Sequence, residues 1–530
     1  MSGVQTDSLK ATPQGTEKDE TVITAEQEVV VEGREAQMDV AGLFLANVAK
    51  RGDAADLLAP YNPQEEKAVI RKADMIIVPL LLVALMMGAV DKNALSTAAV
   101  LGLRADLNLV GQQYSWAGSL IFFGSLVSLF PALFAMQRFP AGKVVSGCVI
   151  IWGVVSLCIA ACENFAGLAV CRFVLGLFEA LTFPGFSLII SSWYTRKEQV
   201  ARTALIYSTL SSLTNGLLSY ASSFVHGQLG VEAWQLLFLL IGAITFAWGI
   251  LLFTFLPDSP VSAKWLTDRQ RIIAVTRLKD NRTGVENKHF KWSQCKEAFL
   301  DIKTWLIFLI NICLNVPSEF SLPLSPFNSI IVNNLGFSSK ETMLLAIPTG
   351  MISWVGSLLF SWVAVKSEHR KHRCLVAAAS CLLPLLGTTL LHVIPRSNKG
   401  GSLGSLYIVY FFWAPYIIMT TVVIANTGGY TKKTIVYGMS YLGYLVGNII
   451  GPQTFRANQA PAYTGGVVAM LVCYCIGILL LLAYYFNLRR LNRAKEDWLA
   501  QHPEEANADN LLDDWRDETD FESKRFRYVL

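Results

Sequence analysis

Apolar residues in this chain fall into blocks of about twenty, the length an α-helix needs to cross a hydrocarbon core of about 30 Å. Twelve such blocks can be read. Six lie at 75–100, 113–134, 143–162, 165–190, 200–222 and 235–256, and six at 304–327, 341–364, 373–394, 404–425, 434–455 and 466–487. Between the two sets runs a charged stretch from Pro257 to Lys303, too polar for the bilayer. The pattern predicts an all-α membrane protein with twelve transmembrane helices in two sets of six.

Lys and Arg are spread unevenly over the connecting loops. Arg71 and Lys72, Arg138 and Lys143, Arg196 and Lys197, Lys432 and Lys433, and Arg489 and Arg490 all fall on the side shared by the two ends of the chain. Few basic residues fall on the other side, so the positive-inside bias places both termini in the cytoplasm. The expected organisation is an N-terminal tail over 1–70, a first bundle over 71–256, a central loop over 257–303, a second bundle over 304–487 and a C-terminal tail over 488–530. Both tails are polar enough to be read as mostly disordered, although MDVAGLFLANVAKRG near 38–52 can form an amphipathic helix on the membrane surface. Short amphipathic helices are expected in the central loop, coupling the halves.

Composition agrees with this reading and removes other classes. Of 530 residues, 53% are hydrophobic and 16% charged, against about 25% charged in a soluble protein. No apolar core follows a basic start at the N-terminus, so the first span is expected to act as its own insertion signal. The ten cysteines have no metal-ligand spacing and read as small packing residues. No His/Asp cluster, Ser/Lys dyad or nucleophile elbow stands in the spans, so neither an enzyme, a metal nor a cofactor is expected. Nor is a nucleic-acid partner, and the chain is read as a monomer. The sequon at Asn281 falls in the loop assigned to the cytoplasm, out of reach of glycosylation.

Charges inside the apolar blocks then become the candidates for chemistry, because each costs several kcal/mol, about 2.5 to 3.5 on insertion scales, unless compensated. Asp91 and Lys92 lie in the first block, and Arg172 and Glu179 in the fourth. Positions 172 and 179 are two helical turns apart, so they share one face at a separation of about 10 Å. Lys92 and Arg172 come to similar depth and are expected to clamp a carboxylate together, the guanidinium as a fork and the ammonium as a point charge. Glu179 suits proton coupling, since burial and the neighbouring cations pull its protonation in opposite directions. The alternative is that Arg172 and Glu179 only hold the fourth helix to its neighbours. Asp91 points about 100° away from Lys92 and is assigned either to proton coupling or to pairing with another helix. Glu319 in the seventh block, among Pro317, Pro323 and Pro326, is a candidate gate or substrate contact, while Asn426 and Asn448 can donate uncharged hydrogen bonds. Gly438, Gly443, Gly447 and Gly451 recur at four- or five-residue intervals and predict close helix approach.

Longer stretches carry a family likeness: CRFVLGLFEALTFPG with SSWYTRKEQVAR, LPDSPVSAKWLTDRQR with RLKDNRTG, and NTGGYTKKTIVYGMSYLGYLVGNIIGPQTF with APAY. Together with Asp91-Lys92, these resemble the major facilitator superfamily, and within its anion:cation symporters the fungal allantoate permease family, from about Glu65 to Lys495. The resemblance implies two six-helix bundles about a pseudo-two-fold axis and a central site opening to each side in turn. It also implies proton-coupled uptake of a small organic anion, such as a ureide, a vitamin or an amino acid derivative. Substrate and coupling roles are implied for Arg172 and Glu179, and a basic residue is usual at the position of Lys92. A Gly-rich stretch expected near Glu319 is missing. The expected function is therefore proton-coupled import at the plasma membrane, with an exporter or organelle transporter of a secondary metabolite, and a non-transporting nutrient sensor, as the alternatives.

Overall fold

The computed structural model describes residues 40–207, 211–223, 230–278, 281, 290–317, 339–366, 372–395, 398–454, 464–503 and 517–530. These are helical, with no strand among them. The first half of the chain provides α1 (Pro63–Val100), α2 (Gln113–Arg138), α3 (Ala141–Ile159), α4 (Phe165–Glu179), α5 (Thr182–Trp193), α6 (Arg196–Tyr207), α7 (Ser211–Ser223) and α8 (Ala233–Phe255). The second provides α9 (Ile302–Asn315), α10 (Ser339–Lys366), α11 (Arg373–Ser380), α12 (Leu382–Val393), α13 (Lys399–Val409), α14 (Trp413–Asn426), α15 (Tyr430–Thr454) and α16 (Thr464–Gln501).

Among the described residues, nine helices are long and apolar enough to cross a membrane. The expected fifth, seventh and eleventh spans are not among them. The fifth is described as α6 and α7, the seventh as α9 alone, and α15 carries Lys432 and Lys433 in its first turn. On α16 the exposed Val468, Val472, Ile476, Leu479 and Phe486 recur at helical spacing, a lipid-facing stripe.

Local chemistry sets the helix ends. The side chain of Asn62 accepts from the backbone N–H groups of Gln64 and Glu65, while Glu65 accepts from the Asn62 N–H, a capping box that starts α1 beside Pro63. The fourth span breaks into α4 and α5 after Glu179, where Pro184 in the first turn of α5 has no N–H to continue the ladder. The glycine pattern of α15 does bring helices together: a Cβ built on Gly443 would lie 2.5 Å from the Phe308 carbonyl oxygen, and one on Gly447 2.8 Å from Asn315 Cβ, both on α9. The halves meet where α6 and α7 pack on α10, and α2 on α15.

One face gathers the N-terminal segment, the central loop and the C-terminus. Helix Val40–Ala49 forms as its pattern allows, and its apolar face rests on Ile272, Val275 and Leu278 of the loop. The loop carries short helices at Asp268–Thr276 and Trp292–Leu300. Asn281, the sequon residue, is buried, its amide donating to the Tyr194 carbonyl at 3.0 Å. The end of the C-terminal tail departs from the expected disorder: Asp520 and Phe526 are fully buried, and Tyr528 nearly so. Polarity misleads there because the acids of the tail are neutralised by lysines of the helices above them.

Candidate functional site

Lys92 and Asp91 are neighbours on α1 but turn to different partners. Lys92 Nζ lies 2.5 Å from Glu179 Oε1, with the two side chains 6% and 2% exposed. Glu179 ends α4, where the helix dipole disfavours a negative charge, so the ammonium offsets both the burial and the dipole. Gly88, one turn before Lys92, leaves room for this approach: a Cβ there would meet the Trp152 ring at 3.0 Å and Glu179 Oε1 at 3.5 Å. Thr182 Oγ1 donates to the Glu179 carbonyl at 2.8 Å, capping the helix end that the break leaves open.

Asp91 faces α3 and α4 instead. It accepts from Ser156 Oγ at 3.0 Å and Trp152 Nε1 at 3.4 Å, and Arg172 Nη1 stands 3.9 Å from its carboxylate. Arg172 also donates to the Asp91 carbonyl at 3.5 Å. The four charges therefore form two crossed pairs, Lys92 with Glu179 and Arg172 with Asp91. Each cation thus stands nearest a different carboxylate.

A cavity of about 780 Å³, its open mouth included, is lined by Lys92, Asn93, Glu179, Phe183 and Tyr444 together with Tyr207, Ser353 and Trp413. Both halves thus contribute walls. Lys92 Nζ sits 5.6 Å from the ring centroids of Phe183 and Tyr444. Phe183 stacks on Tyr441 at 5.4 Å, and Tyr441 on Tyr444 at 5.4 Å. Beyond this layer a second cavity of about 300 Å³, lined by Ser187, Thr420, Val423 and Ser440 among others, continues toward the face that carries the termini. Phe183 and Tyr207 border both spaces.

Inside the main cavity polar capacity is left over. Glu179 Oε2 and Asn93 Oδ1 are buried and find no hydrogen-bond partner among the described residues, nor does Arg172 Nε behind the wall. Such atoms cost free energy unless something arrives to use them. The chemistry available is an ammonium and a carboxylate that can exchange partners, an amide and a planar aromatic floor. Among the described residues no group of His, Cys, Asp and Glu could hold a metal.

Of the residues singled out from sequence, Lys92 and Glu179 line this cavity, while Asp91 and Arg172 lie behind it as a separate pair. Asn448 donates along its own helix to the Tyr444 carbonyl at 2.7 Å. Asn426 is bound to Val529 of the tail at the termini-bearing face. Glu319, with Pro323 and Pro326, lies outside the described residues. Sequence reasoning passed over Asn93, although it adjoins Lys92, and Phe183, whose LTFPG context only marks a helix break.

The sequence model of the family described as Major Facilitator Superfamily matches residues 80–452. The chain is 35% identical to the MFS-type transporter cnsL of Penicillium expansum, over 94% of each chain. It is 34% identical to the allantoate permease of Saccharomyces cerevisiae, over 88% of this chain and 87% of that one. With the thiamine pathway transporter THI73 of the same yeast it shares 32% identity, over 87% and 86%. Among solved structures, the proton:xylose symporter XylE superposes with a TM-score of 0.57 at 13% identity, over 77% of this chain and 95% of that one, a likeness of fold.

Proposed function

The chain belongs to the major facilitator superfamily, whose members move solutes across membranes rather than transform them, and on that premise we propose that it imports a small organic anion together with protons. The observation that carries this reading is the buried Lys92–Glu179 pair on the cavity wall. A substrate carboxylate arriving at Lys92 competes with Glu179 for the same ammonium. Once displaced, Glu179 would be an uncompensated buried charge, a state worth avoiding by about 3 to 5 kcal/mol, and proton uptake avoids it. Anion and proton then enter together, and the emptied site re-forms its own ion pair before returning. Arg172 and Asp91 hold α4 against α1 so that the exchange occurs at fixed geometry. The relationship to an allantoate permease supports a carboxylate cargo, and the aromatic floor suits a planar one.

We place the termini in the cytoplasm and the protein, as a monomer, in the plasma membrane, so that this exchange runs inward down the proton gradient. Uptake of labelled allantoate, nicotinate and pantothenate at pH 5 and pH 7, with and without a protonophore, tests the reading. Accumulation that is larger at pH 5 and collapses with the protonophore is expected for at least one of them. Efflux from preloaded cells with no accumulation would overturn import.

A further inference from the structure

The last fourteen residues behave as a bound peptide. Asn426 of α14 takes both main-chain polar groups of Val529, donating to its carbonyl at 2.8 Å and accepting from its N–H at 2.7 Å. Asn492 of α16 does the same to Tyr528, at 2.8 and 2.9 Å. Two side-chain amides thus replace a neighbouring strand for consecutive residues of an extended segment. Asp520 anchors the other end. Its carboxylate meets Lys303 of α9, Lys432 of α15 at 2.8 Å, the Tyr528 hydroxyl at 2.7 Å and the Gly428 N–H at 3.4 Å. These contacts all come from the second half of the chain.

The first half reaches the segment through Arg196, at the start of α6. Its guanidinium donates to the Arg527 carbonyl at 2.6 Å and lies 4.4 Å over the Phe526 ring, while the Arg196 carbonyl accepts from Arg373 of the second half at 3.2 Å. Position matters as much as contact. Val423 lines the second cavity, and Asn426, one turn further along α14, grips the segment, so the tail is seated about one helical turn beyond the wall of that cavity.

We propose that residues 517–530 are a ligand of the protein's own termini-bearing face, a C-terminal peptide whose binding site both halves share and whose seating holds that side of the transporter shut. Opening on this side separates α6 from α11 and α14, and the Arg196 contacts with Arg527 and Phe526 are what must part.

Thr420→Cys, in the wall of the second cavity, reports access in lipid nanodiscs through its rate of modification by a charged maleimide, with the parent chain correcting for native cysteines. Full-length protein is expected to be protected. A chain ending at residue 516 should label on the order of ten-fold faster, as should Arg196→Ala, the population of a closed state falling with its contacts. A synthetic peptide of residues 517–530, at up to about a millimolar, the order of concentration a tether supplies, should restore protection to the shortened chain, and a scrambled peptide should not. Equal rates in the full and Arg196→Ala proteins would overturn the proposal, as would fast labelling of a folded shortened chain on which the peptide has no effect. Should the shortened chain fail to fold, Arg196→Ala decides.

Discussion

Two buried clusters of charge, one on the cavity wall and one under the C-terminal tail, differ in how completely they are satisfied. Under the tail every carboxylate oxygen of Asp520 has a partner, and Lys432 alone touches Glu297, Asp301 and Asp520 at 2.8 to 3.0 Å. On the cavity wall Glu179 Oε2 and Asn93 Oδ1 have none among the described residues. A saturated cluster can only hold. An unsaturated one has room for a visitor. On the proposed function, this contrast separates a structural ion network from a working one more sharply than burial, which is nearly complete in both.

The largest test of that contrast is Lys92→Ala. It should abolish accumulation, at least about a hundred-fold, because both the anion's cation and the partner of Glu179 are removed. It should also lower stability by about 3 to 5 kcal/mol, the usual cost of orphaning a buried charge. The double change Lys92→Ala with Glu179→Ala should recover most of the melting temperature and none of the transport. Recovery of transport would show that the pair only packs. Glu179→Gln alone should keep counterflow exchange while losing proton-driven accumulation.

Next in size is Asp520→Ala, which should cost about 3 kcal/mol in melting experiments while proton-driven accumulation is retained. Burial alone would raise the Asp520 carboxyl, yet Lys303 and Lys432 hold it well below the usual carboxylate range. A folded-state value below the unfolded one gives stability that is present above the ordinary carboxylate range and is lost only as pH falls through the depressed value. The Asp520 anchor should therefore hold equally at pH 5 and pH 8, while transport changes strongly between them. Lys495, which burial lowers to about 7, donates to the Asp520 and Ser523 carbonyls and does titrate in that window, so the comparison is made in a Lys495→Met chain. Maleimide protection that weakened at pH 5 in that chain would erase the distinction between the clusters.

Sequence and structure part company in an instructive place. The helices were legible because lipid imposes a length and a composition, and buried ionisable residues were legible because they are rare there. Lys92 and Glu179 were found on those grounds. Their pairing was not, since Asp91 is adjacent to Lys92 in sequence but a third of a turn away in space, and the choice of partner depends on where α3 places Ser156 and Trp152. The role of Asn426 was invisible for a similar reason: its partner lies 103 residues away, in a tail whose composition reads as solvent-loving. Asp91→Asn sharpens the point. It should cost about 1 to 3 kcal/mol by leaving Arg172 short of an anion, with the ratio of protons to substrate unchanged.

Gly443→Ala is expected to cost a comparable amount, about 1 to 3 kcal/mol, through the clash of a new methyl with the Phe308 carbonyl on α9. The smallest effect is expected at Asn93. Its Oδ1 is buried, lines the cavity and has no protein partner among the described residues, so removing the amide takes nothing from the empty protein. What Asn93→Ala removes is one uncharged hydrogen bond to cargo, about 1 kcal/mol, or roughly a five-fold rise in KM at constant maximal rate. Melting should not move. If melting falls while KM holds, the vacant amide belongs to the fold, and the wall of the cavity is as saturated as the cluster beneath the tail.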